Sequence, residues 1–453
     1  MYFGQGLSVL LMRTREPVVE ESLEEITTRF AAGFPAKAPP LRTVGREAEF
    51  PLVRSDGRAA DVLQLWPLFL EQKDCEPIND RGVDDSELIV GVQTQEWSCV
   101  IEVGRATVEL SVGPRPTLHE LARDMDEALR RLKDIVNRAG FRLLGYGIQP
   151  RTPASPQLLT PKLRYLALLK AIGPQWLKFC VTAADQVQVD MGRDDVVRHM
   201  NLINATSGFI IALTAHSSVY GGRVGQFASG REGLTANMVN EPYRHGSSRR
   251  PYADLEEYVR FLAGLRCLCL PEKGGGFKQI GEPFTEYLRR GPSVGDPEAA
   301  YEEFLFHEHY IWPSARPRAK IGTLEIRPAC QQPADATWVP SALALGIVEA
   351  ADEIEAYLRA ELGEQYWEIL LRYRKLAVRH GLASPEPVPR FVETLLNLAS
   401  RGLRQRRQGE EVFLAPAYAQ LDRQSEPASH ARKRFEEGRI AALMEVVSLT
   451  CEE

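Results

Sequence analysis

The spacing of apolar residues predicts a chain in which strands and helices alternate. One helix is predicted after Pro116, because Thr117 can cap it and apolar residues recur every three or four positions as far as Gly140. Further helices are predicted at 18–30, 195–215 and 251–265. Strand-like segments are concentrated before residue 330, whereas the chain from Val339 onward is mostly helical. This pattern predicts an α+β fold in which helices cover one face of a large, mainly antiparallel sheet.

The chain shows no internal repeat, low-complexity tract or long linker. We therefore expect one continuous domain, although 453 residues at about 150 residues per domain would allow three. Within this domain we distinguish an N-terminal extension at 1–40, a core at 41–335 and a helical C-terminal region at 336–453.

Composition and charge exclude several classes of protein. With 55 Lys and Arg against 61 Asp and Glu, the formal net charge is −6, which argues against nucleic-acid binding through phosphate neutralisation. The longest apolar stretch, near 209–215, is far shorter than the roughly 20 residues of a membrane-spanning helix. No basic segment precedes the short apolar run at the N-terminus, so we expect no secretory signal and a cytoplasmic protein. Seven cysteines without C-x-x-C spacing fit reduced thiols better than disulfides or a zinc site.

Acidic residues in strand-like segments are the first candidates for chemistry. Glu47 and Glu49 are two positions apart, so both point to the same face of a strand. Adjacent carboxylates repel each other unless a positive charge lies between them, and Mg²⁺ prefers such oxygen ligands. An exposed acidic edge is the alternative interpretation. Glu102 and Glu109 are an odd number of positions apart, so a turn or bulge at Gly104 is needed to bring them together.

A second pair combines opposite charges on one strand. Glu325 and Arg327 share a face, which favours either an ion pair or a metal-binding carboxylate beside an arginine that holds phosphoryl oxygens. Gln188 belongs to a run in which polar residues alternate with valine, and such a run either faces solvent or lines a polar cleft. The glycine-rich segment that carries Arg231 contains no Walker A motif. Arginines and metal would therefore have to hold any bound phosphate.

Histidines are few. His307 and His309 have H-x-H spacing, but no third histidine lies near them, so zinc is disfavoured and a polar or structural role is expected.

Taken in order, these segments resemble the plant and bacterial glutamate–cysteine ligase family. The resemblance runs from about Val44 to Pro333 and rests on GREAEFPL at 45–52, IEVGRATVELSVGP at 101–114, GIQP at 147–150, PKLRY at 161–165, DQVQVD at 185–190, ALTAHSSVYGG at 212–222, SGR at 229–231, NEPYRHG at 240–246, HEHYIWPSAR at 307–316 and GTLEIRPA at 322–329. Each fragment is short, and their shared order is the stronger signal.

The resemblance implies a glutamine-synthetase-like catalytic core that uses ATP to join a carboxylate, in the family the γ-carboxyl of glutamate, to an amine through an acyl phosphate. It implies ATP and Mg²⁺, or Mn²⁺ in its place, as cofactors and small molecules as substrates, and it leaves the oligomeric state open. The residues that it implies as metal ligands are Glu47, Glu49, Glu102, Glu109 and Glu325. Arg327, together with Glu325, takes the catalytic role of stabilising the phosphoryl group. The implied substrate or ATP contacts are Gln188, Arg231, Arg244, His307, Arg316 and Cys330.

Two positions depart from the family pattern. The chain has His216-Ser217 where many relatives have Asn, and Cys330 where an acid ends the Glu-x-Arg strand. These departures leave the identity of the amine open. Three alternatives follow. The protein could be a ligase for another acid or amine, a non-catalytic relative that binds a nucleotide or an amino acid, or a thiol enzyme based on Cys330.

Overall fold

A computed structural model describes residues 16–236, 238–290 and 296–449. The N-terminal segment in which no secretory signal is expected lies largely outside these residues. The strands of the structure are β1 Val44–Val53, β2 Glu76–Arg81, β3 Glu87–Gln93, β4 Trp97–Ile101, β5 Thr107–Arg115, β6 Arg142–Leu143, β7 Ala184–Asp190, β8 Val219–Tyr220, β9 Arg223–Val224, β10 His245–Gly246, β11 Cys269–Pro271, β12 Phe277–Gln279, β13 Trp312–Pro313, β14 Ala315–Arg318 and β15 Thr323–Cys330.

The α-helices include the predicted ones, with bounds that differ by a few residues. They are α1 Glu16–Ala32, α2 Trp66–Phe69, α3 Leu118–Arg138, α4 Leu163–Ile172, α5 Val196–Thr214, α6 Gly230–Thr235, α7 Leu255–Gly264, α8 Phe284–Arg290, α9 Pro297–His309, α10 Val339–Glu349, α11 Ala351–Leu362, α12 Tyr366–His380, α13 Phe391–Arg406, α14 Ala415–Arg423 and α15 Pro427–Val447. None of the helices within the described residues is long and apolar enough to span a bilayer.

One nine-stranded sheet organises the fold. Its strand order is β14-β15-β7-β1-β5-β4-β3-β2, with the short β6 paired to the end of β1. Every neighbouring pair in this sheet is antiparallel. The predicted α+β fold with a large, mainly antiparallel sheet and a helical C-terminal part is therefore confirmed.

Helices cover one face of this sheet and leave the other for a cavity. Helix α3 packs on β5 and β1, α5 packs on β14 and β15, and α10 packs on β7. Thr117 caps α3 as predicted, since its Oγ1 accepts a hydrogen bond from the backbone nitrogen of Glu120 at 3.2 Å. The apolar stripe of α3 is buried against the sheet. The two faces of each central strand therefore have different chemistry.

A buried ion pair lies on the helix-covered face. Arg46 donates to the two carboxylate oxygens of Asp185 at 2.9 and 2.6 Å, and its guanidinium carbon lies 4.5 Å from the ring centroid of Trp338. Because side chains alternate along a strand, Arg46 on this face leaves its neighbours Glu47 and Gly45 on the opposite one. The pair joins β1 to β7, which are neighbours in the sheet.

The helical C-terminal region returns to the sheet. The backbone nitrogen of Gly145 donates to the carbonyl of Val447, and that of Leu449 donates to the carbonyl of Leu143, both at 2.8 Å. These bonds attach the end of α15 to the segment that follows α3. Helix α12 packs against α5 on the way.

Candidate active site

A cavity of about 470 Å³ lies on the open face of the sheet. Side chains of the central strands form its floor, and loops and short helices form its walls. The charged and amide residues that line it are Glu47, Glu49, Asn79, Asp80, Glu102, Glu109, Lys162, Arg164, Gln186, Gln188, Arg231, Arg316, Arg318, Glu325 and Arg327. Most of the predicted site residues are thus brought together.

Three carboxylates meet at one end of the cavity. Oxygen atoms of Glu49, Glu102 and Glu109 all lie within 4.8 Å of one another. Glu49 and Glu109 are direct cross-strand partners on β1 and β5. Glu102 joins them because the chain turns between β4 and β5, where the backbone nitrogen of Thr107 donates to the carbonyl of Gly104 at 2.9 Å. The turn expected at Gly104 is therefore present.

Glycine is required at position 104 by close packing. A Cβ atom there would lie 2.0 Å from the carbonyl oxygen of Cys180. This contact holds the turn against the 3₁₀ helix Pro174–Val181, which also supplies Trp176 and Phe179 to the cavity wall. A larger residue at Gly104 would displace Glu102 from the other two acids.

Burial and repulsion between carboxylates raise the pKa of two of these acids. Burial, followed by the charge of Glu102, raises the pKa of Glu49 to about 7, although the backbone nitrogen of Ala184 and Nε2 of Gln186 donate to its carboxylate at 2.7 and 2.8 Å. Burial and neighbouring carboxylates raise the pKa of Glu109 well above its ordinary value. Oγ of Ser111 donates a hydrogen bond to the carboxylate of Glu109 at 3.0 Å. The clustered carboxylate oxygens lack sufficient positive charge around them, so the group fits a hard divalent cation.

Glu47 and Gln188 lie beside this group on the same face. Nε2 of Gln188 donates to Glu47 at 3.1 Å, and its Oε1 accepts a hydrogen bond from Thr323 at 2.7 Å. The amide of Gln188 is thereby fixed between β1 and β15. The polar run of β7 lines a cleft, which is one of the two outcomes that its sequence allowed.

Glu325 is surrounded by guanidinium groups. Arg316, its cross-strand partner on β14, donates to both of its oxygens at 3.1 and 3.0 Å. Arg318 approaches at 3.3 Å, and Arg327 also contacts the carboxylate. Glu325 is not in the three-carboxylate group identified among the described residues. The ion pair that its sequence allowed is present, and the carboxylate fixes the arginines of the cavity.

Arg327 lines the same cavity as the acids. Its guanidinium contacts Glu325 and the amide oxygen of Gln186. Burial, followed by the charges of Arg316 and Arg231, lowers the pKa of Arg327 to about 9. Several cations therefore share a small volume, which is an arrangement suited to an anionic ligand.

Three predicted contact residues do not line the cavity. Arg244 is buried and donates to Glu241 at 2.5 Å and to the carbonyls of Tyr310 and Arg266. Nε2 of His307 lies 2.8 Å from the carbonyl of Leu262, its ring stacks on a phenylalanine, and burial lowers its pKa to about 3. Sγ of Cys330 lies 3.2 Å from Oγ of Ser217 and 3.4 Å from Oγ of Ser229. These are structural contacts.

Sequence reasoning missed several residues that do line the cavity. His309 lies there instead of His307, and burial holds its pKa well below the ordinary value. Lys162 donates to the carbonyl of Ile101 at 3.3 Å, and burial lowers its pKa to about 8. Arg164 lies 3.6 Å from Asp80. The PKLRY segment contains two of these residues and was the available signal for them.

Aromatic rings close the cavity on another side. The ring centroids of Trp176 and Phe179 lie 5.9 and 5.1 Å from that of Trp312, and Tyr310 lies 6.2 Å from the same ring. This wall limits the volume that a substrate can occupy and excludes water from one side of the charged floor.

A family profile described as glutamate-cysteine ligase family 2 matches residues 43–446. The chain belongs to this family. A provisionally named glutamate–cysteine ligase 2-3 of Rubrobacter xylanophilus is 28% identical over 78% of this chain and 78% of its own length. The chloroplastic glutamate–cysteine ligase of Arabidopsis thaliana is 24% identical over 73% of this chain, which spans 65% of the plant protein.

The fold is also similar to a solved structure. Glutamate–cysteine ligase from Francisella tularensis in complex with AMP matches with a TM-score of 0.54 and 10% identity, over 91% of this chain and 88% of that one. At this identity the similarity concerns the fold. Membership of glutamate-cysteine ligase family 2 confirms the prediction of an ATP-dependent carboxylate–amine ligase.

The two departures from the family pattern do not line the cavity. His216 is buried, its Nδ1 lies 3.2 Å from the carbonyl of Gln331, and burial lowers its pKa to about 3. Cys330 and Ser217 contact each other behind the floor. Any influence of these residues on the amine therefore has to pass through the residues that they support.

Proposed function

We propose that the protein joins the γ-carboxyl of glutamate to the amino group of cysteine with consumption of ATP, through an acyl phosphate. The observation that carries this proposal is the pairing, in one cavity, of three clustered acids with the guanidinium groups of Arg231, Arg316 and Arg327. A ligand that carries both metal and phosphate would complement both groups. The names of the family and of its relatives support glutamate and cysteine as the substrates.

The proposed reaction has two steps. An oxygen of the substrate carboxylate forms a bond to the γ-phosphorus of ATP, the bond from that phosphorus to its bridging oxygen breaks, and ADP leaves. The amine nitrogen then forms a bond to the carbonyl carbon, the bond from that carbon to the phosphate oxygen breaks, and inorganic phosphate leaves with the proton that the nitrogen loses. Both steps require the reactants to be held in line at close range.

The acidic and the basic residues of the cavity have different roles in this reaction. Glu49, Glu102 and Glu109, with Glu47 beside them, would hold Mg²⁺, or Mn²⁺ in its place. When bound, such a cation neutralises phosphate charge. Arg327 donates hydrogen bonds to the oxygens of the phosphoryl group in transfer, which carry most of its negative charge.

The remaining cations bind and orient the substrates. Arg231 offers a planar donor to a carboxylate or a phosphate. Arg316 is held by Glu325 and by the carbonyls of His309 and Ile311, and it contributes positive charge. Glu325 keeps Arg316 and Arg327 in place. The aromatic wall excludes water that would otherwise hydrolyse the acyl phosphate.

The proposal is tested with purified protein, ATP, Mg²⁺, glutamate and cysteine. We expect ADP release that requires both amino acids, together with a γ-glutamylcysteine mass. A pool of other amines, and separately of other acids, distinguishes a specialised ligase, because product would then form only from a different pair. ADP release that needs no amine, or no new mass from any combination, would contradict the proposal.

A further inference from the structure

The short helix that carries Arg231 is held by the C-terminal region. The backbone nitrogens of Ala228 and Ser229 donate to the carbonyls of Arg379 and Val378, each at 3.0 Å. Those two carbonyls belong to the last turn of α12, which would otherwise leave them unpaired. The segment leading into α6 is thus fixed to a helix that contributes no residue to the cavity lining.

An ion-pair chain runs beside these backbone bonds. Nη1 of Arg231 donates to one oxygen of Glu232, and Nη2 of Arg374 on α12 donates to the other. Glu232 is only 3% exposed. Burial would raise its pKa, but His245, Arg374 and Arg231 together hold that pKa below its ordinary value. Glu232 is therefore a buried carboxylate shared between an arginine of the cavity and an arginine of the C-terminal region.

The surrounding backbone leaves room for Arg374. A Cβ atom at Gly208 of α5 would lie 2.9 Å from the Cα of Arg374, so the two helices meet closely at this point. Gly246 has a φ of +88°, and a Cβ there would lie 3.2 Å from the guanidinium of Arg374. Nη2 of Arg374 also lies 3.4 Å from Oγ of Ser314, next to β14. The guanidinium is thereby enclosed on several sides.

We propose that Arg374 is a positioning residue, which acts through Glu232 to orient the substrate-binding guanidinium of Arg231. This inference rests on the proposed function in assigning Arg231 to an anionic substrate. With Arg374 removed, Glu232 has a free oxygen in a buried site, and a carboxylate in that position turns to bind Arg231 with both oxygens. Arg231 is then drawn away from the cavity and its charge is more fully neutralised. The C-terminal region thus sets the affinity of the cavity for an anion.

Steady-state kinetics of Arg374→Ala test this role. We expect the KM for glutamate or for ATP to rise about tenfold, the size of effect given by one charged hydrogen bond, while kcat falls less than threefold. Arg374→Lys should recover part of the loss because it restores a cation. Arg372→Ala is the matched control, since Arg372 lies on the exposed side of the same helix. If Arg374→Ala does not melt cooperatively, Arg374→Gln, which keeps most of the side chain, replaces it.

A double-mutant cycle separates positioning from general stability. In an Arg231→Ala background, removal of Arg374 should change KM by less than twofold, because the group through which it acts is gone. Independent, multiplicative effects of the two substitutions would overturn the proposal, as would wild-type KM values in folded Arg374→Ala.

Direct binding separates this proposal from the proposed function. ATP with Mg²⁺ and glutamate are titrated separately into each variant by calorimetry. If the wild-type protein forms no product with any amine, the proposed function fails, yet weaker binding of either ligand by Arg374→Ala and by Arg231→Ala still supports positioning. Unchanged binding of both ligands by Arg374→Ala overturns it.

Discussion

In the metal-free protein the three-carboxylate group should lower the free energy of unfolding as the pH rises from about 5 to 7, whereas the buried histidines, whose pKa values are lowered, act in the opposite direction. The cause is the group formed by Glu49, Glu102 and Glu109, whose oxygens lie within 4.8 Å of one another. In the unfolded chain each carboxylate ionises near its ordinary pKa. In the folded protein burial and repulsion raise the pKa of Glu49 from 4.5 to about 7.

The sign and size of the effect follow from this difference. Between pH 4.5 and about 7 the folded state holds a proton at Glu49 that the unfolded state has released, so the contribution of Glu49 to the free energy of unfolding decreases as the pH increases through this window. At 1.36 kcal/mol per pKa unit, the loss is about 3 kcal/mol. Glu109 acts in the same direction. An unfolding entropy of about 2.1 cal/mol/K per residue converts the loss to about 3 °C in Tm for a chain of this length.

Thermal unfolding of the wild-type protein and of Glu109→Gln at pH 5.0 and 7.5, with chelator or with Mg²⁺, measures the effect, because the contribution of the histidines cancels in the difference between the two proteins. Mg²⁺ at 100 times its Kd should add about 2.7 kcal/mol at pH 7.5, and less at pH 5.0, where protons compete for the same oxygens. Glu109→Gln should raise the Tm of the metal-free protein at pH 7.5 and remove most of the Mg²⁺ effect. Glu368→Gln, an exposed acid on α12, is the control.

Two results would refute this reasoning. A metal-free Tm difference between Glu109→Gln and the wild-type protein that does not grow between pH 5.0 and 7.5 would mean that the three acids are not held together in an ion-free protein. A full Mg²⁺ effect in Glu109→Gln would mean that the cation binds elsewhere.

Three other variants test individual side chains. Glu325→Gln should abolish ADP release in a folded protein, because Arg316 and Arg327 lose the carboxylate that fixes them. Turnover equal to that of the wild-type protein would show that Glu325 has no role in the site. Arg244→Ala should lower the free energy of unfolding by about 3–5 kcal/mol, because Glu241 loses its buried partner, and urea denaturation would contradict this if the midpoint stayed unchanged. Cys330→Ser should keep full activity, since Sγ lies between two hydroxyl groups outside the cavity; loss of turnover in a folded variant would favour a thiol mechanism.

Strand periodicity made part of the site predictable. The two-residue repeat places Glu47 and Glu49 on one face whatever the fold around them. The meeting of Glu102 with Glu109 needed one further signal, the glycine at 104, which marked a turn but not the contact with Cys180 that fixes it. Local pattern therefore identified the acids, whereas long-range packing determined their geometry.

There are physical reasons why the sequence did not show where some residues lie relative to the cavity. Residues two apart on a helix point in directions about 200° apart, so H-x-H spacing cannot say whether His307 or His309 faces the cavity. The guanidinium of Arg244 donates hydrogen bonds to carbonyls of distant segments. The residues adjacent to Arg244 in the sequence do not indicate these contacts. Arg374 belongs to an ordinary amphipathic helix, and only the folded chain reveals its contact with Glu232.

The return of α15 to the sheet affects when the protein can complete its folding during synthesis. The carbonyl of Leu143 and the amide of Gly145 bind residues near Val447, which is added to the chain roughly 300 residues later. At about 5–20 residues per second, synthesis of that interval takes roughly 15 to 60 s. During this time the strands that carry the site are already outside the ribosome without their last partners. A nascent chain of this protein should therefore depend on chaperones until translation is nearly finished.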